Sequence, residues 1–245
     1  MRARRTIHHA DFLELLGEPP ISGMRGAGSR SRSPRQKQKL FVHELPLSET
    51  ALRRFIRVLN FQIYPTLRAV YSPISPEATS KMRKNYSELL PKTKRYKTAL
   101  LSDRRDKTWP IAQSLGIIEM LTSEELRRFG ERITGRTLQQ DPGVQIICYD
   151  AGDFSGPHND HHPEDEHLRD GYVDIHIALS ELAVKSQWLV YERSPGLLNA
   201  VAEVGHGCMV SVYQLPFWHY TTPLVPVREG VGARRWVLMA SYVQL

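Results

Sequence analysis

Apolar residues recur along this chain with two different periods, and the change falls near its middle. After Ser48, the residues Leu52, Phe55, Ile56, Leu59 and Ile63 return at spacings of three and four, which puts them on one face of a helix that Pro65 should kink or end. Ser75-Pro76-Glu77 sets a capping residue before a proline at the first helical position and predicts a second helix to about Leu90. Pro110 to Leu121 reads as a third. Ser123 caps a fourth over Glu124–Thr134, with Gly135 as its stop signal. Residues 40–136 are thus expected to be mainly helical.

Beyond residue 137 the period shortens. Val144–Tyr149, Tyr172–Ala178, Gln187–Tyr191, Cys208–Tyr213 and Arg235–Tyr242 are short runs rich in β-branched and aromatic residues. Turn residues separate them, among them Gly152, Gly156, Gly171, Pro195-Gly196, Gly205, Gly207, Gly230 and Gly232. Many short strands with little helix between them argue for a barrel or sandwich rather than a parallel sheet. The expected class is α+β, a helical N-terminal layer packed on an all-β core at residues 137–245.

Length fits one sizeable domain at residues 40–245, preceded by a tail. The charge of +7 sits mostly in residues 1–39, which hold nine Lys/Arg against Asp11, Glu14 and Glu18. The body is nearly neutral, which weakens any case for a nucleic-acid or membrane partner outside the tail. Gly, Pro, Ser and Arg fill the segment from Gly17 to Lys39, too little apolar surface to offset ordering. It reads as a disordered, solvated extension, with an RNA-binding arm or a transit peptide as alternatives. Cys148 and Cys208 lie in apolar stretches and suit a reducing compartment. No apolar run approaches the length of a spanning helix, so a soluble cytoplasmic protein is expected.

The chemistry concentrates in Tyr149-Asp-Ala-Gly-Asp-Phe-Ser-Gly-Pro-His158-Asn-Asp160. On an extended segment His158 and Asp160 would point to the same face and could hold adjacent corners of a metal. A distant histidine, His219, would complete a 2-His-1-carboxylate set that leaves positions open on iron. His9-Ala-Asp11 repeats the pattern in the tail by coincidence, and His162-Pro-Glu164 competes beside it. Taken alone, the tract also reads as a polar loop with incidental histidines.

The order His-x-Asp, about 60 residues, His219, Pro226-Val227 and an arginine opening the last strand resembles the Fe(II)/2-oxoglutarate oxygenase superfamily, its prolyl-hydroxylase-like branch above all. The resemblance covers residues 144–243. It implies a double-stranded β-helix (jelly-roll) core, with Fe(II) on His158, Asp160 and His219 and with 2-oxoglutarate and O2 as co-substrates. Arg235 or Arg234 would anchor the distal carboxylate. Alternation favours Arg235, which sends Val237, Met239 and Ser241 inward and Trp236 and Tyr242 outward, and leaves Arg234 as a surface charge. Tyr149 matches a tyrosine near the co-substrate in that family and reads equally as a core aromatic. The gap of 15 or 16 residues from His219 to the arginines is longer than is usual in the branch, predicting an enlarged loop at Thr221–Gly232. A Gly-Gly turn is replaced by Ser180–Ser186. No second arginine follows six residues after the anchor, against a damaged-base substrate.

The resemblance implies a dioxygenase that hydroxylates an unactivated C–H bond of a small molecule or amino acid and releases succinate and CO2. A hydroxylase of a prolyl or other protein residue is the alternative within that chemistry. Outside it stand a non-catalytic cupin-like metal binder and a basic-arm RNA-binding protein. Asp174 and His176 share a strand face and read as a structural pair, His206 as a turn residue, and Trp188, Tyr191, Phe217 and Trp218 as packing aromatics. Nothing in the sequence speaks to oligomeric state.

Overall fold

A computed structural model describes residues 38–45, 47–72, 93–160, 171–194 and 197–245. The basic tail to residue 37, the helix expected after Ser75 and the His162-Pro-Glu164 competitor lie outside them. Ser48 accepts from the Ala51 amide and opens α1 (Glu49–Val58), whose Leu52, Phe55 and Ile56 are buried. The helix runs on through a π turn at Leu59–Ile63 into a 3-10 turn, Tyr64–Thr66, that contains Pro65 and ends it. The stretch from Pro110 to Leu121 is two helices rather than one. Gly116, at φ 76°, breaks it into α2 (Trp109–Ser114) and α3 (Ile117–Leu121). Ser123 and Gly135 bound α4 (Glu124–Thr134) as the sequence predicts.

The first half supplies strands as well as helices: β1 (Leu40–Glu44), β2 (Arg68–Ser72) and β3 (Lys94–Leu100). Basic residues hide β3, because Arg95 and Lys97 disguise its alternation while pairing with Asp153 and Asp150. The second half adds β4 (Gly143–Asp150), β5 (Phe154–His158), β6 (Tyr172–Ser180), β7 (Val184–Ser186), β8 (Trp188–Ser194), β9 (Leu197–Glu203), β10 (Cys208–Leu215), β11 (His219–Thr221), β12 (Val225–Pro226) and β13 (Arg234–Val243). Antiparallel pairing runs β1-β10-β6-β13-β4-β3, then β5-β11-β8-β9, and β12 pairs with β7. The sheet bends into the nearly closed barrel of a double-stranded β-helix.

β6 and β13 are buried on both faces, and their alternation divides the molecule. Val173, Ile175, Ile177 and Leu179 join Trp236, Leu238, Ala240 and Tyr242 in one core beneath the helices, with Leu59, Met120 and Phe129. Tyr172, Asp174 and His176 of β6 turn the other way, as do Arg235, Val237, Met239 and Ser241 of β13, and line a cavity of about 250 Å³. The outward face of β13 therefore meets packed helices, not solvent. Gly130 of α4 permits the close approach, since a Cβ there would meet Ile175 Cδ1 at 2.8 Å.

Candidate active site

β5 and β11 lie side by side with His158 opposite His219, which brings the two rings to 4.2 Å between centroids. The Nδ1 of His158 lies 2.6 Å from the Gly156 carbonyl and that of His219 2.9 Å from the Phe217 carbonyl. A carbonyl only accepts, so each Nδ1 carries the proton and each Nε2 presents its lone pair to the cavity. Asp160 Oδ2 sits 3.2 Å from Nε2 of His158 and 3.6 Å from Nε2 of His219. Among the described residues this is the one place where three such donor groups converge, all within 4.8 Å of one another.

His158 and Asp160 come together as the spacing predicts, but by a different route from an extended strand. β5 ends at His158, and Asp160 has φ 52°. Left-handed backbone is tolerated by Asp far better than by branched residues, and here it turns the carboxylate back towards the two imidazoles. The preceding turn is tied down by Asp153, which accepts from the Asp150 amide at 2.9 Å and from Arg95 Nε at 2.7 Å.

Arg235 and Arg234 have opposite fates. Arg235 is 2% exposed, its Nη1 donates to Gln187 Oε1 at 3.0 Å, and its Nε is buried without a hydrogen-bond partner. Burial pulls its pKa down from the ordinary value, yet a guanidinium stays charged at any physiological pH. A buried cation with an unspent donor is costly unless an anion is expected beside it. Arg234 is a partly exposed charge, and it is paired. Its guanidinium lies 3.7 Å over the Tyr64 ring and donates to Asp150 Oδ1 at 3.0 Å, where Lys97 also pairs.

Tyr149 lines the same cavity, 5% exposed, its ring centroid 5.5 Å from the Arg235 guanidinium. Burial raises its hydroxyl pKa, which an interaction with Thr221 offsets in part. Tyr149 packs in a core cluster and also faces the cavity. The sequence reading missed Gln187, which has no motif, and it took Asp174 and His176 for a structural pair on one strand face. Their nearest approach is a loose 3.8 Å. Cys148 and Cys208 are free thiols, and burial pushes Cys208 up to about 12, so neither is a nucleophile here.

The fold and site together define a double-stranded β-helix that carries a 2-His-1-carboxylate cluster facing a buried arginine. No protein-family model matches the chain, and no curated protein matches it in sequence. Among solved structures it is similar to the non-haem α-ketoglutarate-dependent epimerase SnoN from nogalamycin biosynthesis, at 8% identity and a TM-score of 0.53, over 85% of this chain and 80% of that one. The same epimerase in complex with Fe3+, α-ketoglutarate and nogalamycin RO gives 0.50 over the same shares, again at 8% identity. A prolyl hydroxylase from Trichoplax adhaerens, in complex with a hypoxia-inducible-factor peptide, covers 84% of each chain at 13% identity and 0.49. At such identities the likeness is one of fold. No helix among the described residues is long and apolar enough to cross a membrane.

Proposed function

We propose that the protein is an Fe(II)- and 2-oxoglutarate-dependent dioxygenase acting on an unactivated C–H bond of a small molecule or amino acid. The observation that carries this reading is Arg235, a buried guanidinium with an unpartnered Nε in the same cavity as His158, Asp160 and His219. A storage or cupin-like metal binder would have no use for that cation, whereas a dicarboxylate co-substrate needs one.

The donor set fits iron, two neutral imidazoles and a carboxylate with room left on the metal. When bound, iron, 2-oxoglutarate and O2 would supply the oxidising power, one oxygen atom of O2 going into the succinate that forms with CO2 and the other into the substrate. The chain's own residues do the rest. Phe217 and Gly156 carbonyls hold the imidazoles in the ligating tautomer. Arg235 binds the remote carboxylate, Gln187 fixes the guanidinium from behind, and the apolar walls at Leu189 and Val237 exclude water.

The test is the visible charge-transfer band formed without oxygen on adding Fe(II) and 2-oxoglutarate. It should be present in wild type, absent in His219→Ala, and require at least about tenfold more 2-oxoglutarate in Arg235→Ala. Folded, iron-loaded wild type that gives no band sinks the proposal.

A further inference from the structure

The cavity wall formed by β6 carries a second, separate chemistry. Tyr172, Asp174 and His176 point into the cavity at alternate positions. Asp174 is 6% exposed, and its Oδ1 is buried without a hydrogen-bond partner; so is Nε2 of His176. The Asp174 Oδ2 has His176 Nε2 at 3.8 Å, beyond hydrogen-bond range. A carboxylate oxygen stripped of water and left without a donor loses its solvation with nothing in return, a loss that a donor on a molecule in the cavity would offset.

No described residue supplies that donor. Among the described residues Arg235 is the one Lys or Arg that lines the cavity. It pairs across β13 and β6 with Ser180, whereas Asp174 pairs with Ser241, six positions further along β13 and roughly 20 Å away at strand rise. Nor does the pair make a metal site, since no third donor group joins it among the described residues. Aromatic faces flank it instead: the His176 ring lies 4.2 Å from the Tyr213 ring, centroid to centroid, and Tyr172 stands beside Asp174 on the same strand face. A carboxylate among aromatic rings is the environment that takes an organic ammonium, through a charge-assisted hydrogen bond and cation–π contact.

We infer that Asp174, with His176, Tyr172 and Tyr213, forms a substrate subsite for a protonated amine. This rests on the proposed oxygenase reading for its role as a substrate site. The amine would be held at the end of the cavity opposite the Arg235 anchor, which fits a substrate of the amino-acid or alkylamine class and leaves the co-substrate its own cation.

The experiment is calorimetric titration of the full chain, loaded with Fe(II) and 2-oxoglutarate without oxygen, using n-butylammonium, n-butanol and butyrate as probes. Butylammonium should bind at least about tenfold tighter than either isostere. Asp174→Asn should reduce it to the level of butanol while the visible band persists. Ser241→Lys, which offers an ammonium from the facing strand, should abolish the preference as well. Wild type that binds butylammonium no tighter than butanol overturns the subsite, as does a preference that survives in folded Asp174→Asn. If the band never forms but an Asp174-dependent amine preference remains, the oxygenase reading falls and the ammonium subsite stands. If the band forms without the preference, the subsite alone falls.

Discussion

The Gln187 amide, fully buried, spans three partners: Nε2 donates to the carbonyls of Thr222 and Asp153, at 3.1 and 3.3 Å, and Oε1 accepts from Arg235. A neutral acceptor orients the guanidinium while leaving its charge unspent. Gln187→Glu would replace that acceptor with a carboxylate that competes for the same cation. The expected outcome is an apparent affinity for 2-oxoglutarate about tenfold weaker, read from titration of the visible band, with the band's position unchanged because the histidines are untouched. Binding that is undiminished would show that Gln187 is packing alone. That His158, Asp160, His219 and Arg235 come to one cavity was legible in the sequence, because the metal and carboxylate chemistry proposed for them asks for particular residue types in order. Gln187 was not, since an amide that steadies another side chain has no spacing rule. That Asp174 and His176 share a face followed from strand alternation, but which way that face points, and the unpartnered Oδ1 and Nε2 on it, depend on what the strands beside them contribute.

At the scale of elements, β5 holds His158 by being pressed against the segment that leads into β3. Gly156 donates its amide to the Thr93 carbonyl at 2.5 Å, and a Cβ at Gly156 would fall 2.0 Å from Thr93 Oγ1 and 2.7 Å from its carbonyl oxygen. Gly156→Ala must therefore push β5 and Thr93 apart. The expected result is a destabilisation of about 1–3 kcal/mol by urea unfolding, together with weakened iron binding, since the Gly156 carbonyl also fixes the His158 tautomer. Unchanged stability and iron affinity would mean that the two segments yield freely. The helix caps Ser48, Ser123 and Gly135 were readable because capping is local chemistry. Two kinds of strand escaped. β3 carries Arg95 and Lys97, whose heads pair with Asp153 and Asp150, and β9 is an edge strand whose Leu197, Leu198 and Val201 are exposed, so neither shows the alternation of a half-buried strand.

The described residues pack in three apolar clusters, one of them beneath the helices. Helix-facing residues of β6 and β13 belong to that one and the interleaved residues line the cavity, which no described helix residue lines, so the helices support its wall from behind. Trp236, fully buried, packs edge-on to Tyr64 at 6.2 Å and donates Nε1–H to Asn60 at 3.2 Å. Trp236→Ala should cost about 3–5 kcal/mol in urea unfolding and yet leave 2-oxoglutarate binding within a few-fold of wild type under native conditions. A large loss of binding at full folding would mean that the wall is not rigid. Adjacent arginines at the start of β13 give that wall a reading frame. The loop before it, residues 228–232, is exposed, and Gly232 has open space around it. Length can change there without altering which arginine enters the barrel. One residue gained or lost within β13 inverts every later position: Trp236 would be driven into the cavity, and Val237 and Met239 would fall against the helices. A guanidinium would still face the cavity after such a shift between Arg235 and Trp236, since Arg235 lies before it, but no room would remain for anything to bind it.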